Sequence, residues 1–206
     1  KIKPTNFLGY KKNTIKSSIL SILKDFKEVN KTTNDSKNYS IIAEDTCFYA
    51  ESGGQIGDRG IITSHNTEFK VLDTKKTQQG IFIHYGELIS GSLTVGDEIE
   101  LNINVSLRNS IKKNHSATHL LHAALRNNLG NHVAQRGSLV NEEKLRFDFS
   151  HNKQISKQQI KEIQKEVNNV IDNSVETDIS IKSQEDAIQQ GAMALFGEKY
   201  GDEVRV

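Results

Sequence analysis

Asn114-His115-Ser116-Ala117-Thr118-His119-Leu120-Leu121-His122-Ala123-Ala124-Leu125 reads as one helix with two unlike faces. At 3.6 residues per turn His115 and His119 stand one turn apart and His122 extends their stripe. Ala117, Leu121, Ala124 and Leu125 fall on roughly the opposite side. One face suits a core and the other suits chemistry. Asn114 is the expected N-cap and Gly130 the expected C′ residue. Imidazoles at i and i+4 suit a single shared metal ion, but the same spacing serves solvated or hydrogen-bonded histidines, and on spacing alone both readings stand. A metalloprotease site is excluded, because the residue after the first histidine must be a glutamate base and is Ser116.

Downstream of this helix, His132–Val140 and Lys144–Phe149 read as two strands joined by the polar turn Asn141-Glu142-Glu143. Ser156-Lys157-Gln158-Gln159 is a capping box, and Ile160, Ile163, Val167, Val170 and Ile171 give the helix behind it a core stripe. Glu176–Ser183 alternates again, Ser183 caps a short helix, and Glu203-Val204-Arg205-Val206 reads as an unfinished strand.

Upstream, Tyr39–Val105 carries short apolar runs (Ser40–Ala43, Ile61-Ile62, Phe69–Leu72, Ile81–Tyr85, Glu98–Val105) separated by glycine-bearing turns, which predicts a small antiparallel β-barrel. Within it, Gly53-Gly54-Gln55-Ile56-Gly57-Asp58-Arg59-Gly60 reads either as a tight turn or as a loop offering bare N–H groups to a phosphate or sugar. Between Tyr10 and Val29, Ile15, Ile19, Leu20, Ile22, Leu23 and Phe26 recur at helical spacing with lysines between them, so a helix is expected there. The polar run from Asn30 to Asn38 reads as a linker.

Composition narrows the function classes. The 206 residues include 35% hydrophobic side chains, enough for a lean core, and no apolar run approaches the ~20 residues that cross a bilayer. No secretion signal opens the sequence, so a cytoplasmic address with no membrane partner is expected. The single cysteine, Cys47, excludes an internal disulfide and reads as a small buried apolar residue. Charge is balanced at 27 basic against 26 acidic residues, but the lysines between Lys1 and Lys31, with Arg108, Lys112 and Lys113, form local basic clusters.

Taken together, several motifs resemble the editing region of bacterial alanyl-tRNA synthetase. They are Phe48-Tyr49-Ala50-Glu51-Ser52-Gly53-Gly54-Gln55, His115-Ser116-Ala117-Thr118-His119-Leu120-Leu121, Gly137-Ser138-Leu139-Val140 with Arg146-Phe147-Asp148-Phe149-Ser150-His151, and Gly191-Ala192-Met193-Ala194-Leu195-Phe196-Gly197-Glu198-Lys199-Tyr200. Free-standing trans-editing proteins share these signatures, and the threonyl-tRNA synthetase editing domain shares the histidine half.

The resemblance implies hydrolysis of serine, and to a lesser degree glycine, wrongly esterified to alanine tRNA. A pocket shaped for alanine rejects a hydroxyl-bearing isostere by only ~10²-fold, so a second site is needed. The implied zinc ligands are His115 and His119, the implied amino-acid pocket residues are Thr118 and Gln135, and Gly53, Gly54 and Gln55 would approach the same pocket to position substrate or the tRNA 3′ end; Arg136, with Lys112 and Lys113, suits phosphates by its charge rather than by the motif. The family's other two ligands lie in a Cys-x-x-x-His segment beyond Val206, so two of four are expected here. ATP and Mg would serve only the aminoacylation domain of a parent synthetase, and the partner is the acceptor end of tRNA(Ala), with no protein partner beyond the rest of that parent.

The expected fold is α+β. A helical lead-in and linker from an upstream synthetase domain (1–38) precede a small β-barrel with its glycine-rich loop (39–108) and a two-layer helix-on-antiparallel-sheet editing domain, truncated before the Cys-x-x-x-His segment (109–206). The alternatives are a free-standing trans-editing deacylase and a tRNA-binding module without activity.

Overall fold

A computed structural model describes residues 2–33, 38–192 and 202–206. The elements in order are β1 (Asn6–Phe7), β2 (Thr14–Lys24), β3 (Lys27–Val29), β4 (Tyr39–Ala43), β5 (Asp45–Thr46), β6 (Gly60–Ser64), β7 (Thr67–Lys76), β8 (Phe82–Ser90), β9 (Glu98–Ile103), α1 (Val105–Leu129), β10 (Gln135–Val140), β11 (Leu145–Phe149), α2 (Lys157–Asp172), β12 (Ile181–Ser183), α3 (Gln184–Gln189) and β13 (Glu203–Arg205). They fall into two compact units, Lys1–Lys112 with Asn141–Glu143, and Lys113–Val140 with Lys144–Val206. The fold class is α+β, as expected. Residues 34–37 of the polar run, and 193–200 of the last motif with the following residue 201, lie outside the described residues.

In the first unit the strands run β2-β4-β8-β7-β6-β9, and β9 pairs back onto β2, closing a six-stranded antiparallel barrel. β2 makes the closure. Its first half, Thr14–Ser18, pairs with β9, while its second half, Ile19–Lys24, pairs with β4. Ile15, Ile19, Ile22, Tyr39, Ile41, Phe48, Ile62, Phe69, Val71 and Leu101 fill the interior. Cys47 is fully buried there, and burial pushes its thiol up to about 11, which makes it an inert core residue.

The helical lead-in is therefore corrected: Tyr10–Val29 holds the barrel strand β2 and β3, the short strand hairpinned to it, and no domain boundary lies at residue 38. The cause is a register shift between Ile19 and Ser21. A strand buries every second residue, but a bulge adds one, so the inward residues Ile15, Ile19 and Ile22 acquire the i, i+4, i+7 spacing of a helical stripe. The turn that ends β2 was equally hidden. Asp25 and Phe26 both adopt left-handed backbone, with φ of 49° and 64°, and no glycine marks the hairpin.

A second correction concerns the start of the histidine helix. It begins at Val105, not after Asn114, and Asn104 caps it: Asn104 Oδ1 accepts from the Leu107 N–H at 3.0 Å. Gly130, with φ of 114°, follows its last residue as expected.

In the second unit β10 and β11 form an antiparallel hairpin, and Ala124, Leu125, Val133 and Ile163 make a small core with Leu121, Leu129, Phe147, Phe149 and Val167. α2 carries the expected capping box. The Gln159 N–H donates to Ser156 Oγ at 3.2 Å, and the Ser156 N–H donates to Gln159 Oε1 at 3.0 Å. Ser156→Ala is expected to cost this unit about 1 kcal/mol, read as a lower denaturation midpoint with an unchanged slope. A loss under ~0.3 kcal/mol would show that the box does not carry the helix start.

Candidate functional site

The candidate residues divide between the units. His115, Thr118, His119, Gln135 and Arg136 belong to the second, while Gly53, Gly54 and Gln55 belong to the first.

On α1 the His115 and His119 rings lie nearly parallel, 5.1 Å between centroids and 14° between planes. Their spacing leaves both able to offer a nitrogen to one ion. Burial, the neighbouring His119 and the Arg205 guanidinium hold the His115 imidazole below its ordinary pKa, which favours the neutral form a metal needs. Thr118, only 6% exposed, donates its hydroxyl proton to the Asn114 carbonyl at 2.8 Å. With its proton so engaged, the Thr118 oxygen has only lone pairs left to offer.

His122 is buried on the same helix, its ring 4.9 Å from that of Phe147. It makes a backbone hydrogen bond with Val133, while Nε2 has no partner among the described residues. By elimination Nδ1 makes the Val133 bond. Desolvation first, then Arg126 and His119, lower its pKa. Arg126 Nη1 donates to the same Val133 carbonyl at 3.1 Å, so two side chains of α1 anchor the chain two residues before Gln135.

Gln135 opens β10 opposite Phe149, half-buried. The register then slips between Gln135 and Gly137, which leaves Arg136 as a bulged, exposed residue. A Cβ at Gly137 would lie 2.7 Å from an Asp148 carboxylate oxygen, the movable end of a half-exposed side chain.

The glycine loop takes the form of a tight turn. Ser52 and Gln55 exchange backbone hydrogen bonds of 3.1 and 3.0 Å across Gly53 and Gly54, whose φ values are 60° and 82°. Two successive positive φ angles define the tight hairpin turn that glycine permits. The Gln55 N–H is consumed by the turn, and Gln55 itself is buried.

Among the described residues no three histidine, cysteine, aspartate or glutamate side chains converge as a metal site. The His115–His119 pair fits two corners of a tetrahedral zinc site, and a full site needs further donors. His132 and His151, neither of them a ligand position in the synthetase pattern, are brought together although nineteen residues apart, with His132 Nε2 and His151 Nδ1 at 2.8 Å.

A sequence model of the family described as tRNA synthetases class II (A) matches residues 1–107, more than half of the chain. The chain belongs to this family. The match to the class II (A) synthetases ends within α1, before its histidines. Curated relatives extend through the rest: the alanine–tRNA ligase of Parvibaculum lavamentivorans is 46% identical over 207 residues and that of Mesorhizobium japonicum 45% over 202. These alignments cover 100% and 98% of this synthetase-family chain, which spans 23% of the length of either ligase.

Proposed function

We propose that this chain is the editing region of an alanine–tRNA ligase, hydrolysing the ester of Ser-tRNA(Ala) and, less efficiently, Gly-tRNA(Ala). Its parent would join alanine to tRNA(Ala) with ATP, in the cytoplasm. No helix among the described residues is long and apolar enough to cross a membrane. The observation that carries the reading is the juxtaposition on one helix of two parallel imidazoles and the buried Thr118 hydroxyl.

The reaction is attack of water on the ester carbonyl, with the terminal ribose hydroxyl leaving. Zinc, when bound by His115 and His119 with other donors, supplies Lewis acidity or a water of lowered pKa. Thr118 supplies discrimination. The serine hydroxyl donates to its Oγ1, whereas the methyl of alanine leaves that oxygen unpaired in a buried place, a loss worth about 1–3 kcal/mol. Gln135 presents an amide to orient the substrate or the attacking water, and Arg136, bulged into solvent, suits a phosphate.

The test is release of serine from Ser-tRNA(Ala), with Ala-tRNA(Ala) alongside, by the 206-residue chain supplied with zinc. Serine released with alanine spared supports editing; failure to cleave either ester shows that these 206 residues by themselves are not a working hydrolase, the outcome expected if the His115–His119 pair needs its further donors. Thr118→Val keeps the shape and removes the hydroxyl, whose acceptor, the Asn114 carbonyl, already serves the helix. Serine release is then expected to fall about 10- to 100-fold with glycine release nearly unchanged. Equal losses on both substrates would remove Thr118 from the specificity pocket.

A second reading, tRNA binding without hydrolysis, is favoured by the ligand count, since the described residues bring only two donors to the pair.

A further inference from the structure

We infer that His132 and His151 form a second metal site, independent of His115 and His119, for a borderline divalent transition metal such as Cu²⁺ or Ni²⁺. Their rings stack at the same spacing as the first pair, 5.1 Å between centroids with 23° between planes. Two nitrogens face each other at 2.8 Å. Metal–nitrogen bonds of about 2.0–2.1 Å place two such nitrogens about 2.9–3.3 Å apart on one ion, so chelation keeps their separation within a few tenths of an ångström while each ring turns to aim its lone pair at the shared ion.

The backbone that carries the pair is held from both sides. Ser150, next to His151, donates its hydroxyl to the His132 carbonyl at 2.9 Å and accepts from the Ala134 N–H at 3.0 Å. The Ser150 N–H donates to the Ala134 carbonyl at 2.9 Å. On the other side the His132 ring rests against Gly130, where a Cβ would come within 3.0 Å of Nδ1. A chelating pair whose backbones are already fixed loses little conformational freedom on binding a metal.

The chemistry needs no net proton release from a neutral pair. In the hydrogen bond one facing nitrogen carries the proton; for chelation that ring shifts its proton to its outer nitrogen, and both facing lone pairs bind the ion. No third histidine, cysteine, aspartate or glutamate joins the pair among the described residues, so water completes the coordination. Such a site is exchangeable and follows the order Cu²⁺ above Ni²⁺ and Zn²⁺. Its presence also means that metal content alone does not report on His115 and His119.

The experiment is titration of the whole chain with CuCl₂ and with NiCl₂ by calorimetry, on the unaltered protein, on His132→Asn/His151→Asn and on His115→Ala/His119→Ala. The second site predicts that the His132/His151 variant loses a binding event, its affinity falling at least ~10-fold, a floor set by what even an outer-shell change costs a metal site. The His115/His119 variant keeps that event. Independently of any variant's folding, sub-stoichiometric Cu²⁺ added to the unaltered chain should broaden the ring resonances of both His132 and His151, while those of His65 and His84 stay sharp. Unchanged binding by a folded His132/His151 variant, or sharp His132 and His151 signals, would overturn the assignment.

Discussion

Replacing Arg108 with alanine is expected to cost the barrel unit about 3–5 kcal/mol, the usual penalty for stripping one partner from a buried ion pair. Arg108 stands in the first turn of α1. Its Nε lies 2.8 and 2.9 Å from the two Asp58 carboxylate oxygens, and Nη2 closes a further contact with Oδ2. Both terminal nitrogens also reach backbone carbonyls. Nη1 donates to the Gly9 carbonyl at 2.9 Å and Nη2 to the Cys47 carbonyl at 3.0 Å. One guanidinium thus joins the start of α1 to three separate segments of the barrel chain. Asp58 is 2% exposed and also accepts from the Tyr49 N–H at 2.6 Å, so removal of Arg108 leaves a buried carboxylate without its countercharge. Arg108→Lys keeps the charge but loses the fork and should fall between. The measurement is chemical denaturation followed through barrel amide resonances, which reads this unit separately from the other. A loss below ~1 kcal/mol for Arg108→Ala would show the pair to be solvated, contrary to its burial. Adding Asp58→Asn to Arg108→Ala should cost less than the two single changes summed, because the orphaned charge is then removed as well.

The second large effect is a pH dependence set by His84 in the barrel core. The ring is fully buried, with Nδ1 2.9 Å from the Ile41 carbonyl and Nε2 2.7 Å from Thr46 Oγ1. A carbonyl only accepts, so Nδ1 carries the proton and Nε2 accepts from the Thr46 hydroxyl. Desolvation pushes the His84 pKa down to about 4 from 6.5, opposed by the bond to Ile41. The sign follows from proton counting. Below the unfolded value the unfolded chain binds a proton that the folded barrel refuses, so stability is whole above pH ~6.5 and drains away as pH falls towards ~4. At 1.36 kcal/mol per unit the loss totals about 3 kcal/mol. Carboxylates titrate in part of the same window, so the test is the difference between the unaltered chain and His84→Gln. That difference should shrink by roughly this amount between pH 7 and pH 4. The His84 ring resonance should also show no titration near pH 6.5. A midpoint close to 6.5 would refute the burial argument.

Much of the fold was legible because it rests on local rules. The alternation of Ile99, Leu101 and Ile103 specifies β9, and each is buried in the barrel. Ser156 and Gln159 specify the start of α2, and Gly130 the end of α1. The Ser52–Gln55 turn was one of two readings of the glycine loop, and the paired positive φ angles decide for it. The lead-in failed for an equally physical reason: a bulge turns a strand's period of two into the spacing of a helix, and a glycine-free turn gives no punctuation.

Sequence by itself determined what depends on residues near one another in the chain: the helical face that aligns His115, Thr118 and His119, the capping signals, the alternating strands and the resemblance to synthetase editing regions. Tertiary structure alone decided the closure of β2 onto β9, the burial of Arg108 with Asp58, the isolation of His84 and the meeting of His132 with His151. Each of these joins residues from 19 to 88 positions apart. Local propensity carries no information about such partners. They are selected by burial, where an unpaired charge or an unsatisfied ring nitrogen costs enough to choose one packing over its rivals.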